Sequence, residues 1–341
     1  AFSSDARGLR LPRPRRSSTR ARGGIHSLSR VEPVTFSWVV MVFIGKHELK
    51  KIIILFGLLF ASQLSLALAP YLQGTKLPDA DLSAQIALVE KNLEAEGFKV
   101  IGRHTPKGLP GRAALVATDK AMTESLRAIG GSAVVASGIR VAVQADGTVS
   151  YMNPDYWYRA YLRGQFKTAQ VAVKSVQLRL QKALGEGRAF GGDVPEGDLP
   201  AYRYMLGMER FDAANSELAS HGSFEEAIKA VQAGLASGAG NTSRVYEVIM
   251  PEQKIAVLGV AMNDPSTGEG WWVNKIGADH MAGLPYEIFV VNNKVYALYA
   301  RYRIALAWPS LGMGQFMGIM NAPEAIRTTL IRVAGGSDRS N

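Results

Sequence analysis

Two short stretches, IRVAVQADGTVSYM at residues 139–152 and YEIFVVNNKVYALY at residues 286–299, decide the fold class of this chain. Each consists of an apolar run, a turn pair and a second apolar run. The turn pairs are Asp146-Gly147 in the first stretch and Asn292-Asn293 in the second, and both tolerate the positive φ of a tight turn. Both stretches therefore predict antiparallel β-hairpins.

The elements before the two hairpins follow the same order of helix, two strands and short helix. In the first set these elements are predicted at 81–97, 98–101, 113–117 and 121–129. In the second set they are predicted at 224–235, 245–249, 255–260 and 271–276. The separation of roughly 145 residues indicates a tandem duplication, with chance recurrence as the alternative. The predicted fold class is α/β of the α+β type, with two tandem two-layer domains that each pack helices on an antiparallel sheet.

The predicted domain boundaries follow from this repeat. The first α/β domain is expected over 70–165 and the second over 201–334. The segment 166–200 between them contains a long helix, predicted by apolar residues at heptad-like spacing over 166–184, and then a Gly- and Pro-rich linker. Residues 202–211 are predicted as the first strand of the second domain, and 335–341 as a disordered tail.

Positive charge is concentrated at the N-terminus. Residues 1–67 hold 11 of the 39 Lys and Arg but only 3 of the 29 Asp and Glu, which leaves 28 and 26 for residues 68–341. The body of the chain is therefore nearly neutral despite a formal net charge of +10. This distribution argues against nucleic acid as a partner.

A secretory signal peptide is predicted at residues 49–67. Lys50-Lys51 precede the apolar run Ile52–Ala61, and Ser65-Leu66-Ala67 supplies the small residues of a cleavage site after Ala67. The alternative is a membrane anchor from Ile52 to Ala69, which is at the lower limit of length for crossing a bilayer. The signal peptide predicts a periplasmic or secreted protein.

Residues 1–48 are expected to be untranslated upstream sequence or a disordered basic extension, with the true start at Met41 or Leu49. The alternative is a basic arm that binds nucleic acid. The chain contains no cysteine, which excludes disulfides, cysteine-ligated metals and thiol catalysis. An exported protein of this composition must be held by its core or by association of its domains.

The second predicted domain resembles the domain of unknown function 302 family. The stretches that carry the resemblance are 202–208, 224–227, 283–288 and 294–305. The first domain resembles the same family more distantly, at 96–100 and 149–156. The resemblance covers most of 82–330 and implies a compact two-layer α/β domain with an antiparallel sheet, used twice. It implies no activity and no catalytic residue.

The second hairpin carries the clearest site signal. If its second strand continues beyond Tyr299, alternation places Tyr286, Tyr299, Arg301 and Arg303 on one face and Glu287 on the other. Covered charges need partners. The pattern predicts a pocket in which an arginine meets an anionic group among tyrosines. The alternative is that both arginines pair with carboxylates of the chain itself.

The function favoured by these features is that of an exported envelope protein that binds a small or amphiphilic anionic ligand, or a partner protein, without catalysis. The candidate ligand-binding residues are Arg301, Arg303, Tyr286, Glu287, Tyr299 and His280. No cofactor and no metal is predicted, and membrane proximity and oligomeric state are left open.

Two alternative functions use His280. A hydrolase-like enzyme would combine it with Asp279 or Glu287 as a base and its orienting carboxylate. A copper-handling protein would combine it with soft thioether ligands. Those thioethers come from Met313, Met317 and Met320.

Overall fold

The computed structural model describes residues 66–337. The predicted basic extension, nearly all of the predicted signal peptide and the end of the predicted tail lie outside these residues. The first described strand, β1 (Ala67–Leu68), spans the predicted cleavage point and pairs with β8 (Val194–Pro195). Over 66–337, no helix combines the length and apolar character needed to cross a membrane.

The first half of the described chain contains a six-stranded antiparallel sheet in the spatial order β3-β4-β5-β6-β2-β7. Its strands are β2 (Tyr71–Gln73), β3 (Lys99–His104), β4 (Arg112–Thr118), β5 (Ile139–Gln144), β6 (Val149–Met152) and β7 (Ala189–Phe190). Its helices are α1 (Leu82–Ala95), α2 (Lys120–Ile129), α3 (Pro154–Leu162) and α4 (Phe166–Leu184). A 3-10 segment, Gly131–Ser137, joins α2 to β5.

The second half contains a five-stranded antiparallel sheet in the order β10-β11-β12-β13-β9. Its strands are β9 (Glu217–Ser220), β10 (Thr242–Met250), β11 (Ile255–Met262), β12 (Tyr286–Val291) and β13 (Lys294–Tyr296). Its helices are α5 (Phe224–Ala236), α6 (Glu269–Ile276), α7 (Ala300–Ala307), α8 (Met313–Gly318) and α9 (Ala322–Val333). A 3-10 segment, Ala278–Gly283, lies between α6 and β12.

The two halves share one succession of elements. The order β3-β4-β5-β6-β2 of the first sheet corresponds strand by strand to β10-β11-β12-β13-β9 of the second. Each half also has a bulge at the corresponding place, at Ile101 in β3 and at Val245 in β10. The predicted fold class, with helices packed on antiparallel sheets, is confirmed.

The halves exchange their 3-10 segments. Gly131–Ser137, the first crossing segment, packs on β11 and β12 of the second sheet. Ala278–Gly283, the second crossing segment, packs on β4, β5 and β6 of the first sheet. Because each half covers part of the other's sheet, the buried apolar side chains form one continuous core across both halves.

Three glycines make room for one tyrosine ring where the halves meet. Tyr246 is buried, and a Cβ added at Gly259 would overlap its ring. A Cβ at Gly138 would lie 2.9 Å from the Tyr246 hydroxyl, and one at Gly102 would lie 2.9 Å from Tyr246 Cβ. A close-packed interior cannot absorb such approaches without moving its neighbours, so Tyr246 requires glycine at these positions.

Two predicted elements are wrong. The strand predicted over 202–211 is absent, because the chain is irregular there and β9 begins only at Glu217. The second strand of the 286–299 hairpin ends at Tyr296, and the residues predicted to extend it form α7. Since almost every residue of α7 is buried, this helix lacks the polar face that would reveal a 3.6-residue period.

Candidate functional site

Glu287 and Arg303, two of the predicted site residues, meet inside the protein. Arg303 donates from Nε to Glu287 Oε2 at 3.1 Å and from Nη2 to the Gly283 carbonyl at 2.6 Å. Arg140 of β5 pairs with the same carboxylate from the other half of the chain. All three charged side chains are 2% exposed or less. We call Arg140, Glu287 and Arg303 the buried ion cluster.

Aromatic rings enclose the buried ion cluster. The Cζ atoms of Arg140 and Arg303 lie 4.4 and 5.0 Å from the ring centroid of Trp157. Arg303 also lies 5.6 Å from the ring of Tyr286, whose hydroxyl donates to the Leu298 carbonyl. Burial acts to lower the pKa of Arg303, but the charge and hydrogen bond of Glu287 together with Tyr161 and Tyr286 outweigh it, so that the pKa lies above its usual value. The charged groups of the buried ion cluster are thus paired with one another.

Arg301 lies apart from Arg303, and the prediction that they share a face is wrong. Two residues along a helix correspond to a rotation of roughly 200°, so their side chains diverge. Arg301 Nε donates to Glu209 Oε2 at 3.0 Å, and its Cζ lies 5.2 Å from the ring of Tyr299. The cavity that Arg301 lines measures about 10 Å³. That volume holds at most one water molecule.

His280 lies in the second crossing segment among aromatic rings. Its ring centroid is 5.0 Å from that of Tyr71, 5.9 Å from that of Phe190 and 5.4 Å from that of Trp308. The Nδ1–H donates to the Ala307 carbonyl at 3.0 Å, which leaves the lone pair on Nε2. Burial lowers the pKa of this imidazole, so it is neutral at pH 7. Over 66–337, no hydrogen bond or ion pair joins His280 to a carboxylate.

The two alternative uses of His280 gain no geometric support. Glu287 is held by two arginines, and within residues 66–337 it makes no hydrogen bond or ion pair with His280. Met313, Met317 and Met320 are 53–57% exposed, whereas His280 is mostly buried. In the described part of the chain no three His, Cys, Asp or Glu side chains form a group that could hold a metal.

An open cleft of about 410 Å³ lies where the first crossing segment meets the second sheet. We call it the Arg163 cleft. Its walls are Ser132, Arg163, Phe211, Asp212, Ala213, Ser216, Phe289, Val291 and Tyr296. Phe289 and Tyr296 are partners in the β12–β13 ladder, and their rings stack with centroids 5.5 Å apart and planes 19° apart. The cleft therefore combines an aromatic wall with polar groups.

Arg163 supplies the cation of this cleft. Its Cζ lies 3.9 Å from the ring centroid of Phe211, and its Nη2 donates to Ser132 Oγ at 3.3 Å. No ion pair within 66–337 neutralises it. Its φ of +51° is a backbone conformation that side-chain-bearing residues rarely adopt. Such strain persists where the surrounding structure holds it in place, and it is concentrated at functional sites.

A second polar group in the cleft lacks a partner. Ser216 is 4% exposed, and its hydroxyl makes no hydrogen bond in the structure. A buried hydroxyl without a partner is destabilising by about 1–3 kcal/mol. A ligand that reached Ser216 would supply the missing hydrogen bond.

No family model, no curated protein and no solved structure matches this chain. The resemblance to the domain of unknown function 302 family therefore stays a prediction.

Several residues important to these sites are not among the sequence candidates. Arg140 has a detectable signal, because it is a single cation within the apolar run 139–143 and so requires a buried partner. His104 and Glu269 form another buried pair between the halves, with 2.6 Å between Nε2 and Oε2. Arg163 has no local signal, since its contact with Phe211 arises only from the tertiary fold.

Proposed function

We propose that this protein binds a small anionic ligand with a planar apolar body in the Arg163 cleft, and that it acts as a binding protein rather than an enzyme. The observation that carries the proposal is the guanidinium of Arg163, which is fixed over Phe211 and has no carboxylate partner among residues 66–337. An unpaired cation beside an aromatic wall is suited to a carboxylate or phosphate attached to a ring or another flat group.

The dimensions and chemistry of the cleft support a small molecule. Its volume of about 410 Å³ lies in the range of roughly 300–1,000 Å³ typical of small-molecule sites. The anion would accept hydrogen bonds from Arg163 and Ser132, and the body would lie against Phe289 and Tyr296. The exposed carboxylate of Asp212 lies at the rim and disfavours a second negative charge there.

The predicted signal peptide indicates the compartment in which this binding would take place. Its charged start, apolar centre and small-residue end are those of export signals. We therefore propose that the ligand is met in the periplasm or outside the cell.

Titration calorimetry with a matched pair of probes tests the proposal. We expect 4-hydroxybenzoate to bind about tenfold or more tightly than the uncharged 4-hydroxybenzamide, because only the carboxylate can pair with Arg163. Arg163→Met should abolish this preference. Asp212→Asn should strengthen binding of the benzoate, because it removes a nearby like charge. Equal binding of the two probes would overturn the proposal.

Two further variants separate this site from the alternatives. Arg163→Gly should lose binding without loss of stability, because relief of backbone strain worth about 1–3 kcal/mol offsets the lost ring contact. Arg301→Met should leave binding unchanged, because Arg301 pairs with Glu209 outside the cleft. Loss of benzoate binding in Arg301→Met but not in Arg163→Met would instead locate the anion at the residue predicted from the sequence.

A further inference from the structure

The first sheet has its own cleft at the place that corresponds to the Arg163 cleft. It measures about 250 Å³, and we call it the Arg188 cleft. Its walls are Gln73, Gln144, Asp146, Thr148, Ser150, Arg188, Phe190 and Asp279. Asp279 comes from the second crossing segment, as Ser132 of the first crossing segment comes to the Arg163 cleft. Each half thus offers a sheet and receives side chains from the other half, Asp279 in the Arg188 cleft and both Ser132 and Arg163 in the Arg163 cleft.

The walls of the two clefts differ at matching positions. The ladder pair Phe289 and Tyr296 in the second sheet corresponds to Ala142 and Ser150 in the first. Val291 at the end of β12 corresponds to Gln144 at the end of β5. At these positions, large apolar side chains are therefore replaced by a methyl, a hydroxyl and an amide group, so the Arg188 cleft, which retains the ring of Phe190, favours a more polar ligand.

Both signs of charge face the Arg188 cleft. Asp146 accepts a hydrogen bond from the backbone N–H of Thr148 at 2.9 Å, and this bond lowers the pKa of its carboxyl. Arg188 donates from Nε to Gln73 Oε1 at 3.0 Å. Across 66–337, no ion pair joins Arg188 to Asp146 or to Asp279, and its Nε bonds to Gln73 instead. Two carboxylates and one guanidinium therefore share the cleft without neutralising one another.

A buried group in the cleft independently indicates a ligand. Ser150 is 3% exposed, and its hydroxyl makes no hydrogen bond in the structure. Buried hydroxyls normally have partners. Because Ser150 lines the cleft, a polar ligand there would supply the bond that the protein does not.

We infer that the Arg188 cleft binds a small zwitterion of the α-amino acid class. The ammonium group would lie towards Asp146 and Asp279, and the carboxylate would pair with Arg188. Ser150 and Gln144 would hydrogen-bond the polar atoms between the two charges. The inference is independent of the Arg163 cleft, which has a different wall and a single cation.

Calorimetric titration of the full chain tests the inference with L-alanine, L-serine and L-glutamine as probes. Ethylamine and propionate are the matched controls, since each keeps one of the two charges. We expect at least one amino acid to bind about tenfold or more tightly than either control, because both charges must be matched. Absence of binding by all three amino acids, or equal binding of ethylamine, would overturn the inference.

Variants assign the binding to this cleft. Arg188→Met and Asp146→Asn replace exposed side chains, so both proteins should fold with unchanged melting temperature. Each should weaken amino-acid binding about tenfold, the loss of one charged hydrogen bond, and leave 4-hydroxybenzoate binding unchanged. Arg244→Met is the control, because Arg244 is exposed on β10 and pairs with Glu247. Undiminished amino-acid binding in Arg188→Met would contradict the assignment.

Discussion

The two halves of the molecule have the same strand order. Each half contacts the other through one row of residues that crosses three neighbouring strands, and the side chains of the two rows differ in size and charge. Across β3, β4 and β5 of the first sheet, the row consists of Gly102, Val116 and Arg140. Across β10, β11 and β12 of the second sheet, the corresponding row consists of Tyr246, Gly259 and Glu287. Corresponding residues face one another, because Arg140 pairs with Glu287 and Gly102 lies against Tyr246.

This difference makes each half complementary to the other and not to itself. Two copies of the first row would place Arg140 against Arg140, with no ring to fill the space above Gly102. Two copies of the second row would place Glu287 against Glu287 and Tyr246 against Tyr246. Like charges buried without partners are strongly destabilising. The two halves therefore form a matched pair that depends on the residues of this one row.

Removal of the shared carboxylate should have the largest effect on this pairing. Glu287→Gln keeps the shape of the side chain but leaves Arg140 and Arg303 without a buried counter-charge. We expect the free energy of unfolding, measured by urea denaturation, to fall by about 3–5 kcal/mol.

Two controls show whether burial is the cause. Glu209→Gln removes a carboxylate whose arginine partner, Arg301, is 38% exposed, and should lower the free energy of unfolding by about 1 kcal/mol or less. The triple variant Arg140→Met, Glu287→Leu and Arg303→Met should recover most of the stability lost in Glu287→Gln, because it leaves no unpaired charge. Equal losses in Glu287→Gln and Glu209→Gln would contradict the interpretation.

A single methyl group should perturb the fit between the rows to a smaller extent. In Gly259→Ala, the new Cβ overlaps the ring of Tyr246, which cannot move within the close-packed contact. We expect a loss of about 1–3 kcal/mol in urea denaturation.

The control for this prediction is Gly197→Ala, where an added Cβ meets no atom within 4 Å. In the double variant Gly259→Ala, Tyr246→Leu the tyrosine ring is absent, so the loss of stability caused by the alanine should be smaller. If Gly259→Ala is as stable as Gly197→Ala, the packing of Tyr246 does not depend on that glycine.

The smallest expected effect is a pH dependence of stability that comes from the second crossing segment and not from the first. The second contains His280, whereas Ala133 stands at the corresponding place in the first. The folded pKa of His280 is below its usual value of 6.5, so the unfolded chain binds more protons in the pH window just under 6.5. Stability is therefore complete above this window and falls as the pH decreases through it.

Comparison with His280→Phe isolates this dependence. The charged or titratable neighbours of His280 are Tyr71, whose pKa is raised by burial, and Asp279. Neither is altered by the substitution. The loss of melting temperature between pH 7 and pH 5 should be larger in the parent protein than in His280→Phe. Identical losses in the two proteins would exclude a contribution from His280.

Much of the secondary structure follows from sequence patterns, and the exceptions have physical reasons. The helix predicted at 81–97 is observed as Leu82–Ala95, capped by Asp81 as its side chain accepts from the backbone of Ala84. The hairpin predicted around the Asn292-Asn293 turn is also observed, with its second strand ending at Tyr296. The sequence pattern does not predict helix α7, because a helix that is buried on all sides has no polar face and therefore shows no 3.6-residue period.

The candidate sites are less accessible to sequence reasoning. Glu287 and Arg303 are charged residues in apolar runs and so require partners, but Arg140 is 147 residues from Glu287 and nothing local identifies it as that partner. The Arg163 cleft combines residues from the 3-10 turn after α3, the first crossing segment, the irregular segment before β9 and two strands. Only the packing of one half on the other brings these segments together.

The exchange of crossing segments also has a consequence for the order of events during synthesis. The first sheet receives its cover from Ala278–Gly283, and the partner of Arg140 is made 147 residues later. At ~5–20 residues per second, a ribosome needs roughly 7–30 s to make that length of chain. Throughout this interval the emerging first half displays an uncovered sheet and an unpaired Arg140. A holding chaperone that shields this sheet until the second half arrives would therefore act on the nascent chain.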